Sequence, residues 1–335
     1  MHNSKETAFA AAILQTLLSD NRGYLTSLAD LGEAGVQLLK TILRVNNVTV
    51  RTLSKWPESI LSCWGLREML ENEKARVRRN IEFLARIKEA LDREKYEYAV
   101  IKTLDGYPDL GHDLDLFILE HKEKVLEILR QQFGGSICSR VLSEILNDKT
   151  NVAVADLPKV ELHYRRLGVL GEETLFPRIL MKNKKLQQAE GNSFCVPCDE
   201  DRVLIAVDHR INRHFCIRLC DIYNTLTLIN KKNFDWDYLW KIAEVRQIKA
   251  AARFYLDYIK RIAATVGPQQ AIPALPFKRT FFRFPLLAII PRSYAQKWWG
   301  FVKSFNLEAA LRMSLTVPLL CLAGVQKLIG RKSSW

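Results

Sequence analysis

Apolar residues recur every three or four positions along the first third of the chain. TAFAAAILQTLL (residues 7–18) and RVRRNIEFLARIKEALD (76–92) each gather them on one helical face. Residues 6–96 are therefore expected to be helical. At Tyr96 the period changes: Tyr96–Thr103 and Leu114–Leu119 read as strands, Glu120–Gln132 as a helix, and Gly134-Gly135 as a turn. The alternation in KVELHYR (159–165) predicts another strand, with Glu161 and His163 on one face and Val160, Leu162 and Tyr164 on the other. From Asp199, expected to cap a helix, the helical period resumes over 202–229 and 235–264. GPQQAIPALP (267–276) reads as a linker, and a tail follows that Pro285, Pro291 and Pro318 interrupt. The fold class is α+β, a small mixed sheet embedded in a mostly helical chain. It divides into a helical region 1–95, a sheet-bearing core 96–198, a helical region 199–266, and the linker and tail 267–335.

The second strand contains an anomaly. In YAVIKTLDGYPDLGHDLDLFILE (98–120), Asp113 and Asp115 stand among Leu114, Leu116, Phe117 and Ile118. Side chains two apart on a strand share a face, and two carboxylates so placed repel each other. A divalent cation removes the repulsion, and hard oxygen donors suit Mg²⁺ or Mn²⁺. A loop-capping acid beside a solvated one would give the same spacing. Asp105 and Asp109, in the preceding loop, read as turn residues.

Ile101-Lys102-Thr103 at a strand end, then nine residues, then Asp113-Leu114-Asp115-Leu116, resembles the first motif of the nucleotidyltransferase-fold (DNA polymerase β-like) superfamily. Within it the chain is most similar to poorly characterised bacterial and archaeal nucleotidyltransferases, over roughly residues 76–230. The resemblance implies a sheet of the nucleotidyltransferase type. It implies transfer of a nucleoside monophosphate from a triphosphate to an unidentified acceptor hydroxyl or phosphate, with release of pyrophosphate. Asp113 and Asp115 would be catalytic metal ligands. Glu161 would be the third acid, holding metal or accepting the acceptor's proton. Lys102 stands where the wider superfamily has glycine and offers a phosphate-binding charge; Thr103 offers the hydroxyl a serine would. The helical region 199–266 would close over the nucleotide, and its His- and Arg-rich segment brings Arg210, Arg213 (or His214) and Arg218 roughly to one side, either as a solvated helix face or with Arg213 and Arg218 as nucleotide ligands. A degenerate module that binds nucleotide and Mg²⁺ without transferring is the alternative.

The net charge is +13, and +9 of it lies in residues 278–335, which hold ten Lys or Arg against Glu308 alone. Ser293–Met313 would form a basic amphipathic helix, which points to an anionic membrane surface or RNA, or to a last layer packed on the core. The apolar stretches 284–291 and 313–325 fall short of the ~20 residues of a spanning helix. Seven irregularly spaced cysteines point to a reducing compartment, with Cys195, Cys198, Cys216 and Cys220 as buried thiols rather than zinc ligands. No signal-peptide pattern opens the sequence, so the expected location is cytoplasmic, peripheral to a membrane if the tail binds one.

Overall fold

The computed structural model describes residues 2–19, 32–139, 142–214, 216–265, 277–278, 281–283, 286–304 and 306–315. At its centre, strands β1 (Tyr98–Val100), β2 (Asp113–Ile118), β3 (Ser136–Ile137), β4 (Lys149–Ala153) and β5 (Lys159–Tyr164) form one mixed sheet in the order β1-β2-β5-β4-β3. The α+β class therefore holds. β2 and β5 are parallel, with Asp115 opposite Glu161; the other neighbours are antiparallel. A parallel pair needs a crossover, and helix Lys122–Phe133 followed by β3 and β4 provides it.

Helix Arg67–Arg93 buries Leu70, Val77, Ile81, Leu84, Ile87 and Leu91, a stripe at three- to four-residue spacing after Leu70. It ends where Lys95 takes a φ of 58° and the chain enters β1. The hairpin of β6 (Lys185–Ala189) and β7 (Asn192–Val196) turns on Glu190-Gly191, both at positive φ as a type I′ turn requires. Asp105 and Asp109 lie in the turn between β1 and β2, but each also carries an ion pair. Asp105 meets Arg202 Nε at 2.6 Å. Buried Asp109 accepts from the Val50 amide at 2.6 Å and from Arg51 Nε at 2.8 Å, tying the N-terminal helices to this turn.

The C-terminal helices depart from the expected boundaries. The segment 202–229 is not continuous: helices Asp199–Val207 and Leu219–Ile229 are separated by a π-helical turn, Asp208–His214, and the short strand Cys216–Ile217. Pairing of that strand with Phe282 and Arg283 interrupts the helix, and the Asp221 carboxylate accepts from the Arg218 amide where the next helix begins. Asp199 is the first helical residue rather than the cap, and Lys185 and Lys231 take its carboxylate. The segment 235–264 is likewise two helices, Trp236–Val245 and Lys249–Thr265, parted near Gln247 at φ 58°. In the tail, helix Leu286–Lys303 runs through Pro291, and a second helix spans 307–315, in place of one helix over 293–313. Asn306 divides them, its side chain accepting from the Ala309 amide as a helix cap does. The linker 267–276 and Pro318 lie outside the described residues. Among the described residues no helix is long and apolar enough to cross a membrane.

Candidate functional site

Strand alternation and register gather the chemistry on one face of the sheet. β2 contributes Asp113 and Asp115, β5 contributes Lys159, Glu161 and His163, and β4 contributes Lys149 and Asn151. The residues between them, such as Leu114, Leu116, Val160 and Leu162, are buried against the core. A cleft of about 570 Å³ lies over the polar face, and its other lining includes Lys102, His209, Arg213, His214 and Arg218. That volume falls within the range of small-molecule sites, ~300–1,000 Å³.

Each carboxylate faces an ammonium group. Asp115, 8% exposed, accepts from His163 Nε2 at 3.0 Å and pairs with Lys102. Burial works against its charge, but Lys102 and His163 outweigh burial and hold its carboxyl well below the usual range. Glu161 meets Lys149 Nζ at 3.1 Å through Oε2 and Lys159 Nζ at 3.3 Å through Oε1. Burial and the charge of Asp115 push Glu161 up; Lys102, Lys149 and His163 pull it further down, so it stays ionised. Asp113 stands nearer the rim, 3.6 Å from Lys159. Burial and its like-charged neighbour Glu161 raise its carboxyl.

Lys102 adopts a φ of 58°, the backbone region that glycine favours, so this position keeps a glycine-like turn while adding an ammonium. The Thr103 hydroxyl accepts from the Asp115 amide at 2.7 Å and is buried, bracing β2 from the edge of the cleft. Arg210, Arg213 and Arg218 all line the cleft, and Arg210 is also held by Asp221 at 2.8 Å. His209 and His214 bring their Nε2 atoms to 3.0 Å. Burial and adjacent arginines push His214 down to about 3, and His209 is also lowered. Both rings are therefore neutral, one donating to the other. Lys149 and Lys159 were not singled out from the sequence. Lys159 could have been found, because it shares the alternation of Glu161; the segment holding Lys149 carries no such signal.

Asp115, Glu161 and His163 each offer a ligand atom within 4.8 Å of the others. Two carboxylates and an imidazole suit a divalent cation, the imidazole favouring Mn²⁺ over Mg²⁺. Asp113 is outside this convergence. Lys102 occupies part of it, but its side chain lines the cleft and is 21% exposed, three times as much as that of Lys149. Among the described residues no cysteine belongs to such a group; burial pushes the Cys220 thiol up to about 12.

The model of a family described as uncharacterised nucleotidyltransferase matches residues 44–264, more than half of the chain and the whole polar face described above. No curated protein matches the sequence.

Proposed function

The chain belongs to that uncharacterised nucleotidyltransferase family, and we propose that its cleft transfers a nucleoside monophosphate from a nucleoside triphosphate to an acceptor hydroxyl or phosphate. The observation that carries this reading is the placement of Asp113, Asp115 and Glu161 on one sheet face, beneath Arg213 and Arg218. Asp113 and Asp115 would hold Mg²⁺ or Mn²⁺, with His163 beside Asp115 at 3.0 Å and Glu161 on the neighbouring strand. The bound cation would supply positive charge against the triphosphate. Lys102 exchanges its pairing with Asp115 for a phosphate oxygen, and Arg213 and Arg218 take others. The acceptor oxygen attacks the α-phosphorus, and the bond from that phosphorus to the bridging oxygen breaks. Pyrophosphate leaves with the electron pair. When the acceptor is a hydroxyl, its proton passes to ionised Glu161.

Incubation with α-labelled ATP, GTP, CTP and UTP, Mg²⁺ or Mn²⁺ and a cell extract tests this. Label should move to an acceptor with the wild type and not with the Asp113→Ala/Asp115→Ala variant. Metal-dependent nucleotide binding with no transfer would instead make the protein a binding module. Neither transfer nor binding would sink both readings.

The tail supports a second reading as a peripheral surface. Leu307, Leu311 and Leu315 recur every four residues and are 69%, 64% and 41% exposed, and Trp299 on the preceding helix is half-exposed. With the +9 charge of residues 278–335, such a face suits an anionic bilayer. The protein should sediment with phosphatidylserine vesicles and not with neutral ones, and Leu307→Ser/Leu311→Ser should abolish this. Binding of RNA but not vesicles would move the reading to nucleic acid; binding of neither would remove it.

A further inference from the structure

We propose that Lys149 takes the place of one cation of a two-metal site: its buried ammonium, fixed on Glu161, faces the attacking oxygen, so that the protein binds a single divalent cation with its nucleotide. This rests on the transferase reading above and assigns one residue within it.

Two-metal transfer places one cation at the attacking oxygen and another at the leaving oxygen, roughly 4 Å apart, both held by a shared set of acids. Here both oxygens of Glu161 face ammonium groups, Lys149 at 3.1 Å and Lys159 at 3.3 Å. A divalent cation on Glu161 would meet two like charges at contact distance unless a lysine left. Lys149 is poorly placed to leave. Its side chain is 7% exposed, it projects from the interior strand β4 of the sheet, and Glu144 lies behind it at 3.8 Å. Away from Glu161 it would be a buried charge with only a distant partner. Lys102 differs, since its side chain is 21% exposed, and Asp115 keeps His163 when Lys102 withdraws. The lysines thus divide into two that can yield the Asp113–Asp115 edge to a cation, Lys102 and the more exposed Lys159, and one, Lys149, that holds Glu161 Oε2 permanently.

Lys149 also has the geometry the role needs. An ammonium has three donors. Glu161 takes one, Glu144 stands 3.8 Å away, and Lys149 lines the cleft, so a donor remains for an oxygen there. A hydrogen bond from a fixed cation lowers the proton affinity of an acceptor hydroxyl much as a metal would, with Glu161 alongside to take the proton. Asn151, opposite Glu161 in the β4–β5 register, and Glu144 are themselves hydrogen-bonded, which keeps the Glu144 end of this arrangement in place.

Bound Mn²⁺ can be counted by electron paramagnetic resonance on the full chain with an α,β-methylene triphosphate that cannot react. One Mn²⁺ per chain is expected for the wild type and for Lys149→Arg, and two for Lys149→Met, in which Glu161 Oε2 is released. In the transfer assay Lys149→Met should lower kcat by about 100-fold with the nucleotide KM nearly unchanged, the pattern of a contact made only in the transition state. Two Mn²⁺ in the wild type overturns the proposal even if label is transferred, which leaves the transferase reading standing. Unchanged kcat and stoichiometry in Lys149→Met overturns it as well. The wild-type count decides the matter even if Lys149→Met fails to fold. A wild type that transfers no label fails the transferase reading and, with it, the role assigned to Lys149.

Discussion

Asp115→Asn is expected to lower transfer by about three orders of magnitude while leaving the fold intact. The size follows from what converges on this carboxylate. It is the point where β2, Lys102 and His163 meet, and it belongs to the one group of metal-competent side chains on the polar face among the described residues. Losing a cation's charge stabilisation costs several kcal/mol at the transition state, and ~4 kcal/mol is a factor of ~10³ in rate. The fold should survive because the backbone here is secured independently of the side chain. The Asp115 amide donates to Thr103 Oγ1 at 2.7 Å, and its carbonyl accepts from Ile101 at 3.0 Å. The amide of asparagine fills the same space without the charge. His163 remains neutral, since burial and Lys102 already hold its pKa down. Mn²⁺ titration and kcat/KM should fall together, while thermal unfolding shifts little. A loss under about tenfold, with Mn²⁺ affinity intact, would remove Asp115 from the metal site.

The part of the site that could be read from the sequence is the part written in local alternation. Asp113 and Asp115 two apart, and Glu161 and His163 two apart, each announce a shared face, and the structure places the two pairs on adjacent parallel strands. What alternation cannot give is the neighbour across the sheet. Lys149 lies on β4, whose sequence KTNVA holds three polar residues in a row at buried positions and so gives no amphipathic signal. The continuous helix expected over 202–229 failed for a related reason. Its apolar spacing is helical throughout, but long-range partners govern the backbone near 208–218. Asp208 is fixed by Lys297, and Cys216–Ile217 pair with a strand more than sixty residues onward. Arg51 with Asp109 shows the same limit, since an acid in a turn reads as a turn residue until its distant cation is known.

Lys297→Met should destabilise the protein by about 3–5 kcal/mol, because it leaves three buried carboxylates to one arginine. Lys297, wholly buried on helix Leu286–Lys303, reaches Glu172, Glu173 at 3.0 Å and Asp208 at 3.0 Å. Arg246 adds contacts to Glu173 at 2.9 Å and Asp208 at 3.6 Å. Glu172 cannot turn away, since its oxygens accept from the amides of Val169 and Leu170. The turn is closed so tightly at Gly168, φ 101°, that a Cβ there would meet the Glu172 carboxylate at 2.5 Å. Methionine preserves the length of the stem, so the loss is electrostatic rather than steric. The effect should depend on pH with a definite sign. Burial already raises Glu173, and without Lys297 it rises further, while Asp208 loses a cation that holds its carboxyl down, so the folded variant binds more protons than the folded wild type. Its deficit against the wild type is therefore largest at neutral pH and shrinks as pH falls through the range in which Glu173 takes up its proton. Adding Glu173→Gln should recover part of the stability, which a purely steric defect would not. Urea unfolding of the three proteins across pH tests this; a deficit independent of pH, or no recovery, would show that charge is not what seats the tail helix. Asp208 also opens the turn that carries His209 and Arg213 into the cleft. Nucleotide affinity in Lys297→Met should weaken even where the protein remains folded, linking a tail residue to a site it does not touch.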